Sequence, residues 1–99
     1  MPYKPLSDAE VALEIRQLAS ANKIRWSQHV EERMAERGFD KGQVKECLRK
    51  GVFTERPTIA NRPGEIQYVF RMEACIESES IAVAASLYPA TKLVVITVF

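Results

Sequence analysis

The sequence predicts an α+β domain, with N-terminal helices packed on one face of a roughly four-stranded, mostly antiparallel sheet. Three observations predict it. The first half carries capping signals followed by apolar residues at helical spacing. After Gly51 the pattern switches to alternation and to apolar runs bounded by turn residues. Helices that precede strands, without alternating with them, belong to a segregated α+β fold. The chain has 99 residues, which suits one core and leaves no room for two.

Each element has its own signal. Pro2 and Pro5 disfavour helix, so residues 1 to 6 read as an extended lead-in. "SDAE" is a capping box, with Ser7 at the start and Glu10 reaching back. Val11, Ile15, Leu18 and Ala19 follow at helical spacing, which predicts a helix from about Asp8 to Ala21. "KIRW" reads as a short extended link. Ser27 caps a second helix, and Gly38 stops it. Asp40 and Gln43 form another capping-box pattern. Val44, Cys47 and Leu48 make the apolar stripe of a third helix, which ends at Gly51.

The strands follow. "GVFTERPTI" reads as a strand weakened by Pro57, and "NRPGE" as a turn. "IQYVFRM" alternates, with Ile66, Tyr68, Phe70 and Met72 on one side and Gln67, Val69 and Arg71 on the other. "SIAVAASLY" alternates too, with Ile81, Val83, Ala85 and Leu87 opposite Ala82, Ala84 and Ser86. "KLVVITVF" is apolar on both faces, which suits a central strand covered on both sides or one shielded by its neighbours. The small side chains at Ala82, Ala84 and Ser86 leave volume above them. A closely packed helix is the expectation there, and a shallow groove the alternative.

Composition bounds function more loosely. Apolar residues make up 46% of the chain and charged residues 27%, ordinary values that argue against disorder. A net charge of +1 points to no nucleic-acid partner by itself. Residues 1 to 50 hold 10 Lys/Arg against 8 Asp/Glu, and residues 51 to 99 hold 4 against 5. Any basic surface therefore comes mostly from the helical half. Cys47 and Cys75 lie far apart, and there is one histidine. That set does not build a zinc site, so no metal or other cofactor is expected and both thiols read as buried and reduced. With no signal-peptide pattern and no span-length apolar run, a cytoplasmic protein without a membrane partner is expected.

The stretch "WSQHVEERMAERGF" holds that single histidine, His29, with Arg33 and Arg37 at four-residue steps. On a helical wheel the three fall at roughly 0°, 40° and 80°, and Val30 and Met34 at about 100° and 140°. The polar stripe therefore borders the apolar one. Glu36 is placed to offset the repulsion between the arginines, and Glu32 to orient the imidazole. One reading is an exposed helix laced by salt bridges. The other is a phosphate clamp, because the guanidinium fork matches phosphate geometry and histidine exchanges a proton near neutral pH.

"SQHVEERMAERGF", then "VKECLRKG", "YVFR" and the final "VVITVF", resemble a family of small bacterial domains of unknown function. The resemblance covers residues 24 to 99, a toxin-like core, and leaves residues 1 to 22 as an N-terminal extension helix on a single domain of residues 1 to 99. That family is in turn distantly similar to the RelE, MqsR and BrnT toxins. The resemblance implies a RelE-like fold and a metal-independent endoribonuclease toxin, acting on RNA, ribosome-bound mRNA included, with an antitoxin as protein partner. It implies catalytic roles for His29 as general base or acid, and for Arg33 and Arg71 in stabilising phosphate charge. It implies substrate-binding roles for Arg37 and Tyr68. Trp26 and Tyr88 are further aromatics able to stack on bases. If the strand is regular, Tyr68 and Arg71 face opposite ways and share a site only around a sheet edge or through a bulge. The runner-up function is a non-catalytic module binding protein or nucleic acid on the same fold. A third is pairing through an exposed strand edge, with "KLVVITVF" as the first place for a homodimer to form.

Overall fold

Local capping chemistry fixes the three helices. A computed structural model describes residues 5–62 and 65–99. In α1 (Asp8–Ser20), the Ser7 hydroxyl accepts from the Glu10 amide, and the Glu10 carboxylate accepts from the Ser7 amide. In α2 (Gln28–Arg37), the Ser27 hydroxyl accepts from the Val30 amide. Its end is set by Gly38 at φ 74°, a left-handed turn that glycine adopts without a side-chain penalty. In α3 (Lys41–Lys50), Asp40 and Gln43 form the second capping box. Gly51 closes that helix where no side chain fits, because an added Cβ would stand 2.5 Å from the Cys47 carbonyl oxygen.

There are five strands: β1 (Ile24–Arg25), between α1 and α2, and then, after α3, β2 (Val52–Arg62), β3 (Glu65–Ile76), β4 (Glu79–Tyr88) and β5 (Lys92–Val98). Their order in the sheet is β1-β5-β4-β3-β2, and every pairing is antiparallel except β1 with β5. The α+β class and the helix-then-sheet order are as the sequence predicts. The strand count differs. The link "KIRW" contributes β1, whose two residues pair with Leu93 and Val94, and so the sheet has five strands where four were expected. Two residues are too short to show a period, so sequence pattern had nothing to read there. β4 holds the middle of the sheet, and β5 lies between β4 and β1, shielded by its neighbours, with β1 pairing it only at Leu93 and Val94. Pro57 sits on β2, the opposite edge strand, where a missing amide donor is tolerated. Of the predicted turn "NRPGE", Pro63 and Gly64 lie outside the described residues.

One core joins helices to sheet. Val11, Ile15, Leu18 and Ala19 of α1, Val30 and Met34 of α2, and Val44, Cys47 and Leu48 of α3 cluster with Tyr68, Phe70, Met72, Ile81, Val83, Ala85, Leu87, Leu93, Val95 and Val98. Each large aliphatic or phenyl side chain buried there contributes about 1.5–3 kcal/mol. The register places Phe70 opposite Ala85 and Met72 opposite Val83, so alternate residues of β3 and β4 share this face. The alternation predicted for both strands is the one observed.

The other face corrects two expectations. Ala82, Ala84 and Ser86 lie on the side away from the core cluster, and none of the three helices packs on them. The closely packed helix expected above these small residues sits instead on Ile81, Val83, Ala85 and Leu87. Both residue sets are apolar enough to take a helix, and the bulkier set wins because it removes more apolar area from water. Cys75 is exposed, not buried, whereas Cys47 is buried. Burial, reinforced by the Glu73 charge, pushes the Cys47 thiol up to about 11, so it stays protonated near neutral pH.

Candidate functional site

α2 presents the stripe that the sequence singles out. Val30 and Met34 anchor the helix in the core, and this orientation fixes where its other side chains go. His29 and Arg37 are exposed, and Arg33 is half-buried with 32% of its side chain accessible. Arg33 Nη1 lies 3.4 Å from Glu36 Oε2, the pairing that spacing suggested. Glu32 does not orient His29; its Oε1 instead accepts from the Gln28 side-chain Nε2 at 3.3 Å. Glu31 reaches across to Lys41 Nζ at 2.7 Å. All three α2 carboxylates are thus engaged elsewhere. His29 and Arg37 make no hydrogen bond or ion pair among the described residues.

Arg71 belongs to a different surface. It lies between Phe70 and Met72 on β3, pairs in register with Ala84 of β4, and leaves the sheet on the side away from α2. Its guanidinium carbon stands 4.0 Å from the centre of the Phe99 ring, and Nη1 is 4.0 Å from Glu55 Oε1. β3 runs in unbroken register against β4 from Tyr68 to Ile76, so no bulge turns Arg71 round. The register shifts of the β2–β3 pair fall in β2.

Tyr68 is 2% exposed and part of the core. Its hydroxyl accepts from the Leu6 amide at 2.8 Å, so it tethers the segment that leads into α1. The residues nominated together by sequence therefore separate into three places. His29, Arg33 and Arg37 stand on α2, Tyr68 under the helices, and Arg71 across the sheet. A ligand that touches both α2 and Arg71 has to pass round the sheet edge, which a polymer does and a single phosphate does not.

Sequence reasoning missed Phe99 as a partner of Arg71, although the signal was present. An aromatic one residue past β5, the strand beside the partner of β3, can reach the same face as an odd-numbered β3 residue. Elsewhere, Lys92 Nζ lies 5.0 Å from the Tyr88 ring centre and Lys41 Nζ 5.6 Å from that of Trp26. Among the described residues, no group of three His, Cys, Asp or Glu side chains could hold a metal ion. No described helix is long and apolar enough to cross a membrane.

No curated protein and no solved structure matches the chain. Residues 26–99 match the family described as Domain of unknown function (DUF4258), a span that begins at Trp26 and takes in the α2 stripe and the whole of β2 to β5, and the chain belongs to that family.

Proposed function

We propose that this chain binds RNA through the basic stripe of α2, as a protein of the endoribonuclease-toxin type. One observation carries the reading: the helix keeps all three of its carboxylates occupied and leaves His29 and Arg37 without partners on either side of Arg33. A helix laced only for its own stability would pair Arg37 as it pairs Arg33. Arg33 is already held by Glu36, which lowers the side-chain entropy lost when it grips a phosphate. Stacked four residues apart, the three groups track a chain of phosphates better than a lone ion.

Binding is tested with a fluorescein-labelled single-stranded RNA, followed by anisotropy across a salt series. Each phosphate contact contributes about −0.7 to the slope of log affinity against log salt. Reversing Arg33 and Arg37 to Glu is expected to weaken binding at least about tenfold and to flatten that slope by more than one. An unchanged affinity and slope would remove the proposal.

A second reading, cleavage, is favoured by the unpartnered imidazole beside Arg33. His29 would take the proton of a 2′-hydroxyl, the 2′-oxygen would attack the adjacent phosphorus, and the 5′-oxygen would leave with a proton. The product would be a 2′,3′-cyclic phosphate. In that form, His29→Ala abolishes cutting and growth arrest on expression while leaving RNA affinity nearly unchanged. Intact RNA from cells expressing folded wild-type protein would leave binding without chemistry. A partner chain that neutralises the toxin would cover the same stripe.

A further inference from the structure

A second candidate surface lies between β1 with its flanking residues and the first turns of α3. A cavity of about 430 Å³ opens there, lined by Asn22, Ile24, Trp26, Lys41, Gly42 and Lys45. Its volume lies within the range of about 300–1,000 Å³ typical of small-molecule sites. Two walls differ in chemistry. Ile24 and the Trp26 indole, both half-buried, form an apolar wall. Lys41 and Lys45 form a cationic one, and no carboxylate lines this cavity.

A neighbouring cavity of about 460 Å³ makes the contrast plain, because Asp40, Glu46 and Glu77 line it with Lys45. Lys45 stands at the boundary between the two. Among the described residues it makes no ion pair, whereas Lys41 is held by Glu31 at 2.7 Å. One half-buried cation, with no ion pair of its own, therefore borders both the acidic hollow and the acid-free, aromatic-walled one. The Asn22 amide, which can both donate and accept, adds a group able to read the edge of a heterocycle.

We propose that this cavity is a nucleotide site, with the base against Trp26 and Ile24 and the phosphate on Lys45. An aromatic ring joined to an anion satisfies both walls at once. An apolar ligand would leave Lys45 without a counter-charge, and inorganic phosphate would leave the indole wall wet. The site is separate from the α2 stripe and does not depend on it.

Trp26 is the single tryptophan of the chain, so its indole N–H signal in a ¹⁵N-labelled sample reports this cavity alone. Titration with adenosine monophosphate is expected to shift that signal with a midpoint at or below about 1 mM. Lys45→Glu should raise the midpoint at least tenfold, while Lys50→Glu, at an exposed position on the same helix, should leave it unchanged. Adenosine and inorganic phosphate should each bind more weakly than the joined molecule. The proposal is overturned by an indole signal that does not move, by an equal shift in Lys45→Glu, or by an acidic peptide that shifts it as strongly as the nucleotide. The Arg33→Glu, Arg37→Glu variant should retain the nucleotide shift, which separates failure here from failure of the RNA reading. Far-ultraviolet circular dichroism on each variant confirms that the fold is kept.

Discussion

β3 and β4 show two different surfaces built from the same residues in alternation. On one side, Tyr68, Phe70 and Met72 meet Leu87, Ala85 and Val83 beneath three helices, each 2% exposed or less. On the other, Gln67, Val69 and Arg71 lie beside Ser86 and Ala84 with no helix above them. The first face holds the fold together through area removed from water. On the second, polar groups pair with one another: Ser86 Oγ donates to Gln67 Oε1 at 2.9 Å, and Arg71 lies over Phe99. Because the pleat has a period of two, neighbouring positions on one strand carry unrelated physical duties. Outside the buried Gln67–Ser86 pair, a surface without a helix above it can change its chemistry at little cost to the fold.

The largest expected effect tests that division directly. Phe70→Ala removes a ring that packs edge-on against Phe53, with centroids 5.8 Å apart, and leaves a cavity under the helices. It should cost about 3–5 kcal/mol in urea unfolding. Arg71→Ala, one residue along, should cost less than about 1 kcal/mol, since it loses a weak ion pair and one cation–ring contact. Similar losses for the two variants would mean that the outer face is also structural and that the contrast is false.

How much of this contrast is legible in the sequence follows from the same period. The alternation in "IQYVFRM" and "SIAVAASLY" separates the two faces, and the capping residues Ser7, Ser27 and Asp40 locate all three helix starts. What alternation does not carry is which face takes the helices when both are apolar or small. For that reason Ala82, Ala84 and Ser86 mislead. β1 is equally silent, because Ile24 and Arg25 become a strand only through their pairing with Leu93 and Val94. The site is legible in part. Helical spacing places His29, Arg33 and Arg37 on one stripe, and α2 keeps it. The grouping with Tyr68 and Arg71 came from resemblance, and strand parity opposes it. The cavity beside Trp26 is brought together from two short stretches, residues 22–26 and 41–45, that α2 separates in the chain, so no local motif announces it.

A smaller effect sharpens the comparison on the outer face. Gln67 and Ser86 are 8% and 4% exposed, buried by their neighbours even though no helix covers them. Ser86→Ala removes the donor and leaves the Gln67 side-chain oxygen buried without its partner. The cost should be about 1–3 kcal/mol, most of it desolvation with no compensating bond. Replacing both, with Gln67→Leu and Ser86→Ala, removes the stranded polar group and should recover much of that loss. If the double variant is no more stable than Ser86→Ala, the pair is not acting as a unit and the burial must come from elsewhere.

The smallest expected effect concerns the contact that joins β3 to the chain end. Arg71 and Phe99 meet at 4.0 Å, but Phe99 is 39% exposed, so solvent weakens the attraction between the cation and the ring. A cycle of Arg71→Ala, Phe99→Leu and the double variant should give a coupling of about 0.5–1 kcal/mol. Leucine keeps the apolar bulk and removes the ring quadrupole, so the cycle reads the cation–ring attraction apart from packing. Glu55 sits on the far side of Arg71 and competes for the same guanidinium. Glu55→Gln should therefore raise the coupling slightly and reduce its sensitivity to salt. A coupling indistinguishable from zero would mean that Phe99 does not hold Arg71 and that only the weak Glu55 pair does. The Arg71 head would then be free to swing over Ala84, and this face would become the more available of the two for a ligand.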